Sequence, residues 1–217
     1  MGKTHIAVML LNYFFNGISY GDPNDSESQI TLKPSSDEEV SLRRLARESL
    51  REKTSKKVFF IVPVQNLIEQ QAVIIERYTN LIVGRYHGRQ KRSKYYSELE
   101  AWREEFDKND VFVAMAKKFY DLLMHGFVKM NEISIVVFDE CHHTDQDHLY
   151  NLIMRDFFFH KFDNADPKCR RPKILGLTAS PIKQKIDKLH VLSSDIESML
   201  QNLSNNLYSR FVTFSAE

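Results

Sequence analysis

Short, nearly continuous apolar runs alternate along this chain with longer stretches whose apolar residues recur at helical spacing. The apolar runs predict strands at 57–63, 81–84, 110–114, 133–138 and 173–177. The longer stretches predict helices at about 65–78, 92–107, 116–125 and 145–161. Strands that are apolar on both faces and separated by helices are typical of a parallel sheet with helices on both sides. The pattern therefore predicts a three-layer α/β domain with a mostly parallel sheet.

The start of the chain does not fit this alternation. Residues 4–16 are apolar at helical spacing and lack glycine and proline, which predicts a helix that begins at Gly2-Lys3-Thr4 and stops near Gly17. From there to residue 56 the composition turns polar, first with Gly, Pro, Ser, Asp and Asn and then with regularly spaced charges. We therefore expect 17–56 to be a surface insertion that is irregular at first and then helical.

The end of the chain also changes character, beyond Pro181. A charged helical stretch at about 184–205 is followed by a short strand-like run at 210–214. We therefore interpret 1–182 as the α/β domain and 183–217 as a helical linker that leads away from it.

Composition narrows the functional classes only slightly. Thirty Lys and Arg residues stand against 29 Asp and Glu, a net charge of +1, so any surface for nucleic acid must be local. The two cysteines, Cys141 and Cys169, are too few for a disulfide framework, and the longest apolar runs are too short to cross a bilayer. These features predict a reduced, soluble, intracellular protein with no membrane partner.

Gly2-Lys3-Thr4 matches the last three positions of the phosphate loop, G-x-x-x-x-G-K-[ST]. In that motif, backbone N–H groups and the helix N-terminus hold phosphates, the lysine reaches the β- and γ-phosphates, and the hydroxyl contacts Mg²⁺. Three residues are weak by themselves, and an ordinary Gly-Lys-Thr before a helix is the alternative.

A second motif follows the apolar run 133–138, which leads directly into Asp139 and Glu140. An aspartate at the end of a strand near a phosphate loop can hold Mg²⁺, and a neighbouring glutamate can orient the attacking water. A solvated junction between strand and turn is one alternative. Another is a zinc cluster on Cys141, His142, His143 and His148, although the paired-cysteine spacing of structural zinc sites is missing.

A third motif, Leu175-Gly-Leu-Thr-Ala-Ser-Pro181, ends a strand in small hydroxyl residues. The order GKT, DECH, TAS resembles the superfamily 2 helicases over nearly the whole chain. The spelling Asp-Glu-Cys-His is similar to the group that contains Dicer and the related antiviral RNA sensors. Segments 59–71, 81–88, 125–143 and 193–213 also resemble Dicers, which favours a Dicer-like protein over an RNA sensor.

This resemblance implies a RecA-like P-loop NTPase fold that binds ATP and Mg²⁺. Gly2, Lys3 and Thr4 would bind the phosphates, and Thr4 and Asp139 would hold the metal. Glu140 would be the catalytic base, with Asp139 and Lys3 also catalytic and His142 at the nucleotide. The resemblance further implies positions for RNA binding and for coupling it to the nucleotide: Pro63, Gln70, Gln71, Gly88, Thr178, Ala179 and Ser180.

Two departures from the family pattern affect these expectations. The first glycine of the phosphate loop and the adenine-reading segment before it are missing, so we expect the fragment to be inactive as an ATPase by itself. Met115 stands where many relatives have threonine, which weakens one expected contact to the nucleic-acid backbone.

Two other groups of residues have open interpretations. A basic tract could grip phosphates or simply face solvent, and it comprises Arg85, His87, Arg89, Lys91, Arg92 and Lys94, interleaved with Tyr86, Tyr95 and Tyr96. The run Phe157-Phe158-Phe159 favours core and packing surface over a platform for bases, since adjacent residues on a helix point in different directions.

The expected function is the ATP-binding lobe of an ATP-dependent double-stranded-RNA helicase or translocase in a Dicer-like ribonuclease acting in RNA silencing. Its expected partners are RNA and, in the same full-length chain, a second RecA-like lobe and nuclease domains. The expected location is the cytoplasm or the nucleus. The alternatives are a lobe of an antiviral RNA sensor and a non-hydrolysing RNA-binding scaffold.

Overall fold

The structure, a computed structural model, describes residues 2–16, 36–38, 41–42, 56–87, 95–143, 148–160, 169–179 and 193–207. The strands within them are β1 Val58–Val62, β2 Val83–Tyr86, β3 Val111–Met115, β4 Ile135–Asp139 and β5 Lys173–Leu177. The helices are α1 Gly2–Asn16, α2 Asn66–Tyr78, α3 Tyr95–Lys108, α4 Ala116–Met124, α5 Leu149–Ile153 and α6 Ser193–Leu207. A π-helical turn, Met154–Phe159, continues α5 directly.

The strands form one sheet in the order β2-β3-β1-β4-β5, and every neighbouring pair is parallel. Val62 lies opposite Met115, and Asp139 lies opposite Leu177. The carboxyl ends of these strands therefore meet at one edge of the sheet, where ligands bind in open α/β sheets.

Alternating strand residues fill two separate cores. On one face, Phe59 and Ile61 belong to a cluster with α3, α4, α5 and the end of α6. On the other face, Val58, Phe60 and Val62 pack with α1 and α2. All five residues of β1 are fully buried, and burying a large apolar side chain stabilises a fold by about 1.5–3 kcal/mol. The predicted three-layer architecture, with a parallel sheet between two layers of helices, is confirmed.

Most predicted elements agree with the structure within a few residues, and β2 shows the clearest shift. The apolar run at 81–84 is buried, but the strand is Val83–Tyr86. The physical reason lies in Ile82, whose N–H donates to the Asp110 carboxylate at 2.9 Å and whose carbonyl accepts from Asp110 N at 2.8 Å. Because Asp110 holds both backbone groups of Ile82, the regular pairing of β2 with β3 begins only at Val83.

The two ends of the chain are only partly covered by the structure. Of the predicted insertion 17–56, residues 36–38, 41–42 and 56 are described, and 37–38 and 41–42 are helical. The predicted strand at 210–214 lies outside the described residues. Helix α6 packs against β5 through Leu207, which is buried next to Gly176. Within the part of the chain that the structure describes, no helix is long and apolar enough to span a membrane.

Candidate functional site

Strand β4 brings Asp139 to the carboxyl edge of the sheet as its last residue, with 5% of its surface exposed. One carboxylate oxygen accepts the N–H of Glu140 at 3.0 Å. Burial raises the pKa of Asp139 above its usual value, the Lys3 charge opposes this shift, and the Glu140 charge adds to it. The carboxylate is therefore desolvated and would gain strongly from a bound cation.

Glu140 begins the turn after β4 and adopts a φ of 50°, in the left-handed region that residues other than glycine rarely occupy. Such a conformation costs about 1–3 kcal/mol and persists only where the surroundings hold it. It turns the chain sharply, and the side chain reaches Lys3 on one side and His142 on the other. Strain of this kind is common at functional sites.

Helix α1 brings Lys3 to the same edge from the opposite end of the sequence. Ala7, Val8 and Leu11 pack α1 on the sheet, which directs its first turn towards the end of β4. The Lys3 ammonium pairs with the Glu140 carboxylate, and both side chains are about 30% exposed. Thr4 is half-buried in the same turn, where unpaired backbone N–H groups and the positive end of the helix dipole favour anions.

His142 links this turn to β5. Its Nδ1 lies 2.8 Å from Thr178 Oγ1 and 3.4 Å from Glu140 Oε2. Thr178 directly follows β5, so the imidazole joins the ends of two neighbouring strands. We call Lys3, Asp139, Glu140, His142 and Thr178 the site network.

The residues predicted to contact RNA differ in their exposure to solvent. Pro63 is half-buried just after β1, and Gln70 is exposed on α2. Gln71, in contrast, is 5% exposed, and its Oε1 has no hydrogen-bond partner. Helical spacing explains the difference, since Gln71 shares the buried side of α2 with Ile68 and Ile75. A surface contact of the Gln71 side chain with RNA is therefore not supported.

The other predicted coupling positions are near the end of β5 or outside the described residues. Ala179 is exposed directly after Thr178. Gly88 and Ser180 lie outside the part of the chain that the structure describes.

The beginning of the basic tract is neutralised by acidic residues on α2. Arg85 forms a bidentate pair with Glu76 at 2.6 and 2.9 Å, and its Nε donates to Glu69 at 2.9 Å. His87 Nε2 lies 2.9 Å from the other Glu69 oxygen. The Glu76 hydrogen bond is the main cause that raises the pKa of Arg85. We call these four residues the β2 edge cluster; tract residues 88–94 lie outside the described residues.

The phenylalanine run contributes to the core, as predicted. Phe158 is buried, and Phe157 and Phe159 are partly buried against the same cluster.

Sequence reasoning missed Tyr150 at the site. This side chain is fully buried on α5, and its hydroxyl donates to the backbone carbonyl of Asp139 at 2.9 Å. Burial also raises the pKa of the Tyr150 phenol. The available signal was a tyrosine at the start of the helix that follows the DECH turn.

Cys141 has a structural environment rather than that of a metal ligand. Burial raises the pKa of its thiol to about 12, and its Sγ would lie 2.9 Å from a Cβ added at Gly176. Among the described side chains, no group of three or more His, Cys, Asp and Glu residues could hold a metal ion without other ligands. A metal at this edge would therefore need ligands from a substrate or from water.

The donor set of the site network, together with Thr4, fits a magnesium-bound nucleotide. Lys3 supplies a positive charge at a helix N-terminus, Thr4 a hydroxyl, and Asp139 a desolvated carboxylate, which are the ligand types that phosphates and Mg²⁺ prefer. The pairing of Lys3 with Glu140 shows that α1 faces the end of β4. A lysine, a hydroxyl and a carboxylate are groups that bind phosphates and Mg²⁺ at phosphoryl-transfer sites.

Comparison with known proteins gives one family and a consistent group of relatives. Residues 42–183 match the family model "Type III restriction enzyme, res subunit". The chain is 34% identical over 154 residues to Endoribonuclease Dicer homolog 1 of Arabidopsis thaliana, which covers 71% of this chain and 8% of that protein. It is 30% identical over 207 residues to Dicer-like protein 1 of Aspergillus niger, covering 94% of this chain and 11% of that protein.

A solved structure supports the fold. The helicase domain of Hef from Pyrococcus furiosus matches with a TM-score of 0.58 at 22% identity, over 99% of this chain and 32% of that chain. At this identity the match shows the RecA-like fold alone. The sequence relatives, in turn, confirm the predicted resemblance to Dicer and Dicer-like proteins.

Proposed function

We propose that this chain is the ATP-binding lobe of a Dicer-like, ATP-dependent double-stranded-RNA helicase. The chain belongs to the family described as type III restriction enzyme, res subunit, and its sequence relatives are Dicer and Dicer-like proteins. The observation that carries this proposal is the pairing of Lys3, in the first turn of α1, with Glu140, directly after β4. A lysine from a phosphate-loop helix and a glutamate after a Walker B strand meet where the γ-phosphate of a nucleotide would be bound.

Lys3 and Thr4 bind the nucleotide in this proposal. The Lys3 ammonium leaves Glu140 for phosphate oxygens, which carry more negative charge. The Thr4 hydroxyl and the Asp139 carboxylate would hold Mg²⁺, and the desolvation of Asp139 would strengthen that interaction. Bound ATP supplies the phosphoanhydride bond whose hydrolysis releases the free energy for translocation.

Glu140 acts as the base once Lys3 has moved to the phosphates. Its half-exposed carboxylate is then free to orient a water molecule and accept a proton from it. His142 contacts both Glu140 and Thr178, so it transmits the state of the nucleotide site to the end of β5. That strand end leads to Ala179 and Ser180, which are proposed to lie towards the RNA.

RNA contacts in this proposal come from the half-buried Pro63 and the exposed Gln70, which follow β1 in the chain. Double-stranded RNA is held through phosphate and 2′-hydroxyl groups rather than base edges, which suits the neutral polar side chain of Gln70. Pro63 has no backbone N–H and could contact RNA only through its ring and its carbonyl oxygen. Relatives named as Dicers support a role in RNA silencing. Since this chain spans 8% and 11% of two of them, a second RecA-like lobe and nuclease domains are proposed partners within one protein.

The decisive experiment separates nucleotide binding from hydrolysis in the full Dicer-like protein that contains this lobe. Glu140→Gln keeps the shape and hydrogen bonds of the side chain but removes the base, so ATP affinity should stay within about threefold while turnover falls by about 10³ or more. Asp139→Asn should instead weaken Mg²⁺-dependent ATP binding itself. Fluorescent-nucleotide titration and RNA-stimulated phosphate release measure the two effects.

Glu69→Gln is the matched control, since it makes the same chemical change at an exposed glutamate of the β2 edge cluster. Its affinity and turnover should remain within about twofold of the parent protein. Parental turnover by Glu140→Gln would contradict the proposed base. Equal losses of binding in all three variants would contradict the nucleotide site.

A further inference from the structure

The Tyr150 hydroxyl is buried beside the peptide that joins Asp139 to Glu140. It donates to the carbonyl of Asp139 at 2.9 Å and lies 3.5 Å from the carbonyl of Ile61, near the end of β1. Its ring is in contact with Phe138, with centroids 4.8 Å apart. A single phenol therefore lies against the carboxyl ends of both β1 and β4.

The carbonyl of Asp139 belongs to the peptide that joins Asp139 to Glu140. The N–H of that same peptide donates to the Asp139 carboxylate at 3.0 Å, and the φ of 50° at Glu140 follows immediately. Fixing the carbonyl therefore fixes the peptide plane, the Asp139 carboxylate that its N–H holds, and the direction in which Glu140 leaves the strand. A buried carbonyl that loses a donor loses part of what keeps it in this orientation.

The position of Tyr150 is itself well defined by its own helix. Its N–H donates to His148 Nδ1 at 3.2 Å, which caps the start of α5, and the two rings meet edge to face with centroids 4.6 Å apart. The buried cluster that includes Phe138 and Ile153 surrounds the ring. The hydroxyl is therefore held in place and cannot follow a shift of the Asp139–Glu140 peptide.

We propose that Tyr150 is a positioning residue, whose hydroxyl holds the Asp139–Glu140 peptide so that both carboxylates face Lys3. The catalytic meaning of this role rests on the proposed function, but the backbone effect does not. A tyrosine that only fills the core would stabilise the whole domain without a special influence on the turn. The two roles therefore predict different effects of removing the hydroxyl. A positioning role predicts a local change at the Asp139–Glu140 peptide, and a core-filling role predicts a change throughout the domain.

Amide hydrogen exchange in the 217-residue chain tests the backbone effect without nucleotide. Tyr150→Phe should speed the exchange of the Glu140 amide by about tenfold or more. Amides in the centres of β1 and β3 should stay within about twofold of the parent chain. The matched control is Tyr120→Phe. Tyr120 lies on α4 and packs against the same core cluster as Tyr150, and its hydroxyl donates to Asp156 at 3.3 Å. That control should leave the Glu140 amide unchanged.

A second variant keeps the test decisive if Tyr150→Phe folds poorly. p-Aminophenylalanine in place of Tyr150 keeps a donor at the para position and should hold the exchange of Glu140 within about threefold of the parent. Unchanged Glu140 exchange in Tyr150→Phe overturns the proposal. So does faster exchange that is equal throughout the sheet, or failure of the p-aminophenylalanine chain to protect Glu140.

Kinetics in the full Dicer-like protein then examine the catalytic consequence. Tyr150→Phe should lower kcat for ATP about tenfold and change KM less than threefold, since a small misplacement of a catalytic group affects chemistry more than binding. Absence of ATP turnover in the parent protein would contradict the proposed function and leave the exchange result to decide the role of Tyr150. A parental kcat beside faster Glu140 exchange would overturn the catalytic part of the proposal.

Discussion

The site network and the β2 edge cluster both place acidic and basic side chains near strand ends, but they connect different parts of the chain. In the β2 edge cluster, Arg85 pairs with glutamates 9 and 16 positions away on the preceding helix. In the site network, Lys3 and Glu140 are separated by 137 positions and meet only because the sheet is formed. The first cluster ties a strand to its neighbouring helix, whereas the second brings together segments that are far apart in the sequence.

The two groups also differ in how well their charges are satisfied. Arg85 has a bidentate carboxylate partner and a second carboxylate beside it, an arrangement that leaves little charge for a ligand. Asp139 is buried with a raised pKa, and Glu140 is in the left-handed region. The comparison indicates that the β2 edge cluster contributes to stability, while the burial of Asp139 and the backbone conformation of Glu140 reduce it.

Replacing either of two histidines, each of which lies beside a glutamate, should give the largest functional difference between the two clusters. His142 is 18% exposed and joins Glu140 to Thr178, whereas His87 is 41% exposed and contacts Glu69. In the full Dicer-like protein, His142→Ala should reduce the stimulation of ATP turnover by RNA about tenfold, with ATP affinity within about threefold. Phosphate release with and without double-stranded RNA measures the effect.

His87→Ala is the matched control and should leave RNA stimulation within about twofold of the parent. Equal losses of stimulation in the two variants would remove the functional distinction between the clusters.

Carboxylate-to-amide changes should affect stability with opposite signs in the two regions. Asp139→Asn removes a desolvated charge and should raise the free energy of unfolding by roughly 1 kcal/mol, or about 2–4 °C in Tm. Glu76→Gln removes the bidentate partner of Arg85 and should lower it by roughly 0.5–1 kcal/mol. Urea unfolding of the 217-residue chain at pH 7 compares the two variants with the parent.

The pH dependence of the Asp139→Asn effect provides a further check. Since the pKa of Asp139 is raised in the folded chain, the folded state binds that proton more tightly than the unfolded state. Lowering the pH through the folded-state pKa neutralises the carboxylate, so the stabilisation by asparagine should shrink there. A loss of stability in Asp139→Asn at pH 7 would show that the carboxylate has a structural role instead.

The sequence predicted the sheet and the main members of the site network because both depend on local patterns. The apolar runs that became β1, β3 and β4 are long enough to be recognised alone, and the motif that ends in Asp139 and Glu140 follows one of them directly. The family order of motifs singled out Lys3 and Glu140 but did not predict that their side chains pair. Local patterns do not report contacts across the fold, so the role of the Tyr150 hydroxyl was missed.

The burial of individual polar residues was the other feature that the sequence did not predict. Gln71 and Gln70 are adjacent in sequence and chemically identical, and only the rotation of α2 makes one buried and the other exposed. Arg85 and His87 belong to a basic run, and their neutralisation depends on two glutamates that α2 presents to β2. In both cases the packing of a helix on the sheet, which the sequence pattern does not specify in detail, decides what the side chain can contact.

The smallest effect is expected from the predicted insertion, which belongs to neither charged group. Replacing Tyr20 to Ser36 with a short Gly/Ser linker should change the free energy of unfolding by less than about 0.5 kcal/mol, because the closure entropy of a surface loop depends only weakly on its length. Among the nearby described residues, Asp37 and Leu42 are exposed, which agrees with a surface position. Leu11→Ala serves as the positive control, since Leu11 is fully packed between α1 and the sheet and its truncation should cost about 2–5 kcal/mol. Urea unfolding of both chains measures the difference. A loss of several kcal/mol in the linker variant would show that the segment docks on the domain and contributes to its core.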